Sequence, residues 1–297
     1  MGTIGVWSDR LRTDEVDFTQ KIITSFESQN NWTSQLLNDA KIRNMLALLE
    51  CPKHMNTDNI KAVKAALFEI RIANAIYQSG YNAIYECKTG VDKTSVDFLI
   101  HCDENKGQHN WLVELTSLRD SEDIKQATTQ KNDIYCYISP DNNAEVKDIW
   151  RAQQVILSKV AKSCKKKSAI IPIKFPVPNA TMSTYNAIVI DMRAINLGMV
   201  DKYDLQIIMY GSQHLRNIKY GLLYREFVTT DGVRKPILGI CDPKYEDPRA
   251  QYFRERIHAV GFINEKTYKQ GEINSEIQTY CNHHLIPLKN LKLPIKS

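Results

Sequence analysis

Residues 95–117 read SVDFLIHCDENKGQHNWLVELTS. Two apolar runs, SVDFLI and WLVELTS, flank a polar stretch rich in turn-forming residues. This pattern predicts two β-strands that are joined by a short connection and pair in one sheet. Each run carries one acidic residue, Asp97 in the first and Glu114 in the second. A carboxylate in a strand is costly to bury unless it is solvated, paired or bound to a metal, so these two residues require an explanation.

Apolar periodicity on both sides of this stretch predicts an α/β protein with a mixed central sheet flanked by helices. Asp58 is a plausible cap for the second helical segment, and Gly80 follows its end. The predicted helices are 14–50 (with a polar break), 59–79, 143–164 and 248–258. The predicted strands are 82–88, 95–100, 110–115, 133–138, 168–175, 185–192 and 258–263. The segment VTTDGVRKPILGI (228–240) is predicted to be a loop.

Composition limits the classes of function. The 297 residues are 43% hydrophobic and 25% charged, which is typical of a folded globular protein. The formal charge of +5 permits a nucleic-acid partner without demanding one. No apolar run approaches the roughly 18 residues of a membrane span, and the first residues lack the apolar region of a secretory signal. We therefore expect a cytoplasmic protein that does not bind a membrane.

The seven cysteines form no CxxC pair, which favours reduced thiols. The motif Cys281-Asn282-His283-His284 would resemble half of a zinc site, but no second pair of ligands has a suitable spacing. A solvated tail is the preferred interpretation of this motif.

Glu69 is a third candidate acidic residue. Steps of three and four residues place Ala62, Ala66 and Ala73 on its side of the 59–79 helix, so the glutamate lies on a face that packs closely. If the strands carrying Asp97 and Glu114 pair, their carboxylates can converge. Two carboxylates, waters and a substrate phosphate are ligands that Mg²⁺ prefers, and Mn²⁺ accepts them too. Asp97 and Glu114 are therefore predicted metal ligands.

The order of a helix with Glu69, a strand, a strand with Asp97, a strand with Glu114 and a further helix resembles the PD-(D/E)XK nuclease superfamily. The resemblance covers roughly residues 58–191 and implies a restriction-endonuclease-like core, Mg²⁺ (or Mn²⁺) dependence and cleavage of DNA or RNA, in bacterial defence or DNA processing. Glu69 matches the helix glutamate of the family, and Asp97 and Glu114 match its motif acids. Val96 stands where the family often has proline.

Thr116 departs from the family, whose motif has a lysine at this position that helps to position or activate the attacking water. Other members of the superfamily supply this lysine from a different element. Lys159, on the helix after the strands, is the first candidate, and Lys88 is the second. Gln153 and Gln154 precede Lys159 on the same helix and are interpreted as ordinary solvated helix formers. The predicted catalytic set is thus Glu69, Asp97, Glu114 and Lys159.

We expect one domain over residues 1–297: a helical lead-in (1–57), a nuclease-like core (58–191) and a C-terminal α/β extension (192–297). Three interpretations of function remain open. The first is a metal-dependent nuclease. The second is a catalytically inactive scaffold of the same fold that binds nucleic acid or a protein. The third is an unrelated α/β protein in which Asp97 and Glu114 never meet. The sequence decides neither DNA against RNA nor the oligomeric state.

Overall fold

A computed structural model describes residues 11–50, 55–102, 109–119, 128–131, 134–137, 144–162, 173–178, 184–194, 202–216, 226–229, 231–265, 268, 277–285 and 293–295. Its first part is helical, as predicted. Helices α1 (Thr13–Glu27), α2 (Trp32–Asn38) and α3 (Ala40–Glu50) precede the long helix α4 (Thr57–Gln78).

The start of α4 differs from the prediction. Its N-cap is Asn56, whose side chain accepts a hydrogen bond from the Asn59 N–H, and Asp58 lies in the first turn. A side chain placed before the first turn reaches the unpaired N–H groups, whereas one within the turn points away from them. The predicted end is confirmed: Gly80 follows the helix with φ of +76°, a conformation that glycine adopts without strain.

A six-stranded mixed sheet forms the centre of the protein. Its strands are β1 (Asn82–Lys88), β2 (Ser95–Cys102), β3 (His109–Arg119), β6 (Thr184–Ala194), β9 (Ala259–Ile263) and β10 (Ile277–Cys281). Strands β1 to β3 are antiparallel neighbours, β3, β6 and β9 are parallel neighbours, and β10 closes the far edge antiparallel to β9. The predicted α/β class and the pairing of the strands that carry Asp97 and Glu114 are both confirmed.

Other elements cover the sheet or form small hairpins. The helices are α5 (Ala144–Val160), α6 (Lys202–Tyr210), α7 (Ser212–Arg216) and α8 (Pro248–Arg256), and the hairpins are β4 (Thr128–Lys131) with β5 (Ile134–Tyr137) and β7 (Glu226–Val228) with β8 (Arg234–Pro236). None of the helices in the described ranges is long and apolar enough to cross a membrane.

Three of these elements differ from the expectations. The segment predicted as a loop contains β8 and the last residue of β7, which pair as a hairpin, and α5 ends at Val160. Of the strand predicted at 168–175, only residues 173–175 are described, and Ile173 forms a single bridge with Ala161 instead of a ladder. Phe175, the last residue of that run, is fully buried.

The sheet has a hydrophobic layer on each face because its strands alternate their side chains. Trp111, Val113 and Leu115 pack with the N-terminal helices, whereas Leu112 packs with the layer of α5, α6 and α8. Glu114 has the same parity as Leu112. The strand therefore directs it toward the α5 side of the sheet.

A buried ionic network joins α1 to the rest of the fold. The Arg71 guanidinium, which is fully buried, binds Glu15 of α1 at 3.1 Å and Glu265 at 3.0 Å. Arg193 also binds Glu15 and forms a two-point contact with Asp191, at 2.5 and 2.7 Å. Burial raises the pKa of Glu15, but Arg193 and Arg71 outweigh it, so the pKa of this carboxyl lies below its usual value.

Candidate active site

The site begins where β2 and β3 separate. Their ladder runs from the Cys102–His109 pair to the Phe98–Val113 pair, and Asp97 and Glu114 are the next residues in that register. Beyond this point β3 continues beside β6. The Leu115 N–H donates a 2.5 Å hydrogen bond to Asp97 Oδ2, so the aspartate carboxylate is fixed directly against the backbone that follows Glu114.

A cavity of about 310 Å³ opens at this separation. Its lining includes the acids Glu69 and Asp97, the cations Lys41, Arg119 and Lys159, and the residues Ala65, Phe68, Leu115, Thr116 and Ser117. Helices α3 and α4 supply one wall, the end of β3 supplies the floor, and α5 supplies Lys159 from the opposite layer. Acids that can hold a metal and cations that can hold a phosphate thus share one concave space.

Glu114 lies behind the wall of the cavity and contacts it through Lys159. The Glu114 side chain is 2% exposed, and its Oε1 accepts from Lys159 Nζ at 3.1 Å and from Lys174 Nζ at 2.6 Å. Its Oε2 is buried and has no hydrogen-bond partner among the described residues. A carboxylate oxygen that is buried without a donor is costly, so a ligand or ion at Oε2 would stabilise the site.

Glu69 is held in place by two donors. Lys41 Nζ lies 2.9 Å from Glu69 Oε1, and the Tyr85 hydroxyl donates to Oε2 at 2.7 Å. Burial lowers the pKa of Lys41, but the Glu69 carboxylate outweighs it, so the Lys41 pKa rises above its usual value. Lys41 also lies 3.8 Å from Glu86 on β1. The helix glutamate is therefore oriented by Lys41 and Tyr85.

Asp97 is the electrostatically strained member of the site. Burial, then the Glu114 carboxylate, then Glu69 raise its pKa to about 8. In the described ranges no cation forms a salt bridge with it. Three carboxylates that act on one another in this way favour the binding of a positive ion or of a proton at Asp97.

The donor set fits a hard divalent cation with few protein ligands. Among the described residues no three His, Cys, Asp or Glu side chains are grouped as a complete metal site. The raised pKa of Asp97 and the unpartnered Glu114 Oε2 nevertheless mark two carboxylate positions at which a positive ion would be stabilising. Mg²⁺ is often bound by one or two carboxylates, with waters and substrate phosphates as the other ligands, and these two residues match that demand.

The structure brings the four residues of the predicted set together, but only three of them line the cavity. Glu69, Asp97 and Lys159 line one cavity, and Glu114 is paired with Lys159 just behind it. The second lysine candidate, Lys88, is exposed at the end of β1 and does not line the cavity.

Sequence reasoning missed Lys174, Lys41 and Tyr85. Lys174 lies 60 residues from Glu114 in the chain, and Lys41 lies 28 residues from Glu69. No local motif marks such distant partners. A search for lysines within apolar runs, such as IIPIKF, would have brought Lys174 to attention.

Two polar residues interpreted as solvated are buried structural groups instead. The Gln153 amide donates to the carbonyls of Ile208 and Leu238, at 3.2 and 2.8 Å, and accepts from the Tyr245 hydroxyl. Asn282 donates to the carbonyl of Arg254, in the last turn of α8, and to that of Ile257, just beyond its end. Both side chains satisfy backbone acceptors that neighbouring elements leave open.

The two histidines of the Cys-Asn-His-His motif also contact neighbouring elements. His284 Nε2 lies 2.7 Å from the Cys241 carbonyl oxygen, and the His283 ring stacks on Tyr210. The motif thus forms contacts with the protein, and no zinc site is grouped around it in the described part of the chain.

Comparisons of the sequence with protein-family models, with curated proteins and with solved structures gave no significant match.

Proposed function

We propose that this protein is a metal-dependent phosphodiesterase that cleaves DNA or RNA, as the resemblance to the PD-(D/E)XK superfamily implies. The observation that carries the proposal is the meeting of Glu69, Asp97 and Lys159 in one cavity, with Glu114 paired to Lys159. Four elements, α4, β2, β3 and α5, contribute these groups. A merely structural ion pair would not require an uncompensated Asp97 at the cavity surface.

Asp97 and Glu114 would hold Mg²⁺ or Mn²⁺, through the Asp97 carboxylate and the unpartnered Glu114 Oε2. When bound, the ion supplies charge stabilisation for phosphodiester displacement and lowers the pKa of a coordinated water. The chain itself does the rest: Arg119 and Lys41 attract the phosphate backbone into the cavity, and the hydroxyl groups of Thr116 and Ser117 offer it hydrogen bonds.

Lys159 would take the role that Thr116 cannot fill. A threonine hydroxyl carries no positive charge with which to stabilise a developing hydroxide, whereas the Lys159 ammonium lines the cavity and already donates to Glu114 Oε1. Lys159 Nζ can therefore orient the attacking water by donating a hydrogen bond to it, while the phosphorus–oxygen bond to the leaving group breaks.

The test is a cleavage assay with labelled single-stranded DNA, duplex DNA and RNA, in Mg²⁺, Mn²⁺ or EDTA. Asp97→Ala and Glu114→Ala should abolish metal-dependent cleavage. Lys159→Ala should lower kcat roughly 10²-fold or more, the usual scale of a general acid–base contribution. Lys162→Ala is the matched control, because Lys162 is exposed just beyond the end of α5. This variant should cleave like the wild type.

The second candidate is a catalytically inactive scaffold that binds nucleic acid or a protein partner. The double lysine contact of Glu114 favours it, since this carboxylate is already neutralised on one oxygen. Wild-type protein that cleaves none of the substrates, together with an Asp97→Ala variant that binds nucleic acid as the wild type does, would establish the scaffold and refute the nuclease. Lys159→Ala that cleaves at the wild-type rate would remove Lys159 from the site.

A further inference from the structure

Lys174 holds Glu114 from outside the cavity. Its Nζ lies 2.6 Å from Glu114 Oε1, closer than the 3.1 Å of Lys159, but only Lys159 lines the cavity. Two ammonium groups thus share one carboxylate oxygen. One cation would suffice to neutralise Glu114, so the second requires a reason of its own.

The backbone around Lys174 is fixed at several points. The Lys174 N–H donates to the Val160 carbonyl at the end of α5, at 2.9 Å, and the Ile173 N–H donates to Asp92 at 2.8 Å. Thr94, next to β2, donates to the Ile173 carbonyl at 3.2 Å. Segment 173–175 therefore connects the end of the helix that carries Lys159 to the start of the strand that carries Asp97. These hydrogen bonds fix the backbone position from which the Lys174 side chain extends.

We infer that Lys174 is a positioning residue for Glu114, an inference that rests on the proposed function. Lys174 keeps Glu114 charge-balanced and directs Oε2 toward the metal, so that Lys159 is free to leave the carboxylate for the attacking water or the substrate phosphate. Charge supports this division: the single Glu114 carboxylate meets two ammonium groups, so one lysine can leave it while the other still balances its charge. Groups behind metal ligands commonly set ligand orientation and affinity in this way.

The experiment compares Lys174→Met, Lys174→Arg, Lys159→Met and the control Lys162→Met. Mn²⁺ binding is measured with Mn²⁺ alone by electron paramagnetic resonance, and cleavage is measured across Mn²⁺ concentrations. Lys174→Met should weaken Mn²⁺ binding about 10-fold or more, the usual effect of losing a group that orients a metal ligand. Its kcat at saturating Mn²⁺ should be nearly unchanged, and Lys174→Arg should restore binding. Lys159→Met should show the opposite pattern to Lys174→Met, with a reduced kcat and unchanged Mn²⁺ affinity.

The outcomes separate the two proposals. Wild-type Mn²⁺ affinity in a folded Lys174→Met variant, checked by thermal unfolding, overturns the role of Lys174 alone. Wild-type protein that binds Mn²⁺ but cleaves nothing overturns the nuclease, and the Mn²⁺ affinity of Lys174→Met still decides whether Lys174 positions Glu114. Wild-type protein that binds no Mn²⁺ overturns both.

Discussion

Replacing Glu15 with glutamine should destabilise the protein strongly, although Glu15 does not line the cavity. The side chain is 2% exposed and bridges Arg71 and Arg193, whose side chains are 0% and 8% exposed. Glutamine keeps the size and one acceptor of the side chain, removes its charge and replaces the other oxygen with an NH2 donor. The substitution therefore tests the ionic network of α1 and not its packing.

The expected loss is about 3 kcal/mol in the free energy of unfolding. Removing one partner of a buried ion pair costs about 3–5 kcal/mol, because a buried charge is left without compensation. The lower end applies here because Arg71 keeps Glu265 and Arg193 keeps Asp191. The control is Glu27→Gln, an exposed glutamate at the end of the same helix, which should change stability by less than about 0.5 kcal/mol.

Urea unfolding followed by circular dichroism measures both variants, with the slope m compared to show that the same surface is exposed. The pKa of Glu15 lies below its usual value, so its stabilisation is present above the unfolded pKa of about 4.3 and is lost as pH falls through the folded pKa. The difference in the free energy of unfolding between wild type and Glu15→Gln should therefore become smaller at acidic pH. A Glu15→Gln loss below about 1 kcal/mol at pH 7 would refute the reasoning.

Three further predictions concern the site and the core. In EDTA, Asp97→Asn should raise the melting temperature at pH 8 by roughly 2–4 °C. The melting temperature of this variant should also depend less on pH. The reason is the raised Asp97 pKa of about 8, which makes wild-type stability fall as pH rises from the pKa of an unfolded aspartate toward 8. Burial lowers the pKa of His258 to about 4, so stability should be full above about 6.5 and fall as pH drops toward 4, with a smaller slope in His258→Gln. Gly239→Ala should cost about 1–3 kcal/mol in urea unfolding, since its Cβ would lie 2.3 Å from the Gly211 nitrogen.

Much of the sheet could be predicted because strand signals are local. Asp97 and Glu114 each lie in a short apolar run, and only a short polar stretch separates the two runs, which predicts antiparallel neighbours. Helix α4 has a periodic apolar face and a glycine after its end. Strand β10 was missed because its sequence, IQTYC, alternates weakly and contains polar residues that half-buried edge positions tolerate.

The rest of the site depends on contacts between distant segments. The sequence marks Lys159 only as a lysine on an amphipathic helix. Lys174 lies in the apolar run IIPIKF, but nothing local shows that it pairs with Glu114. The same holds for Gln153: its amide is buried because it pairs with carbonyls 55 and 85 residues away. Burial of a polar side chain is decided by the groups that meet it, and periodicity does not contain that information.

The position of β6 in the sheet has a consequence for the order of events during synthesis. This strand lies between β3 and β9, and β3 carries Glu114. A ribosome that has made residues 1–160 has already produced Glu69, Asp97, Glu114 and Lys159, yet the strand that flanks β3 and the lysine at 174 are still missing. Because chains grow at about 5–20 residues per second, the nascent protein spends seconds with its acidic residues made but its sheet open. The protein can therefore complete its site only after β6, which ends at Ala194, has been made.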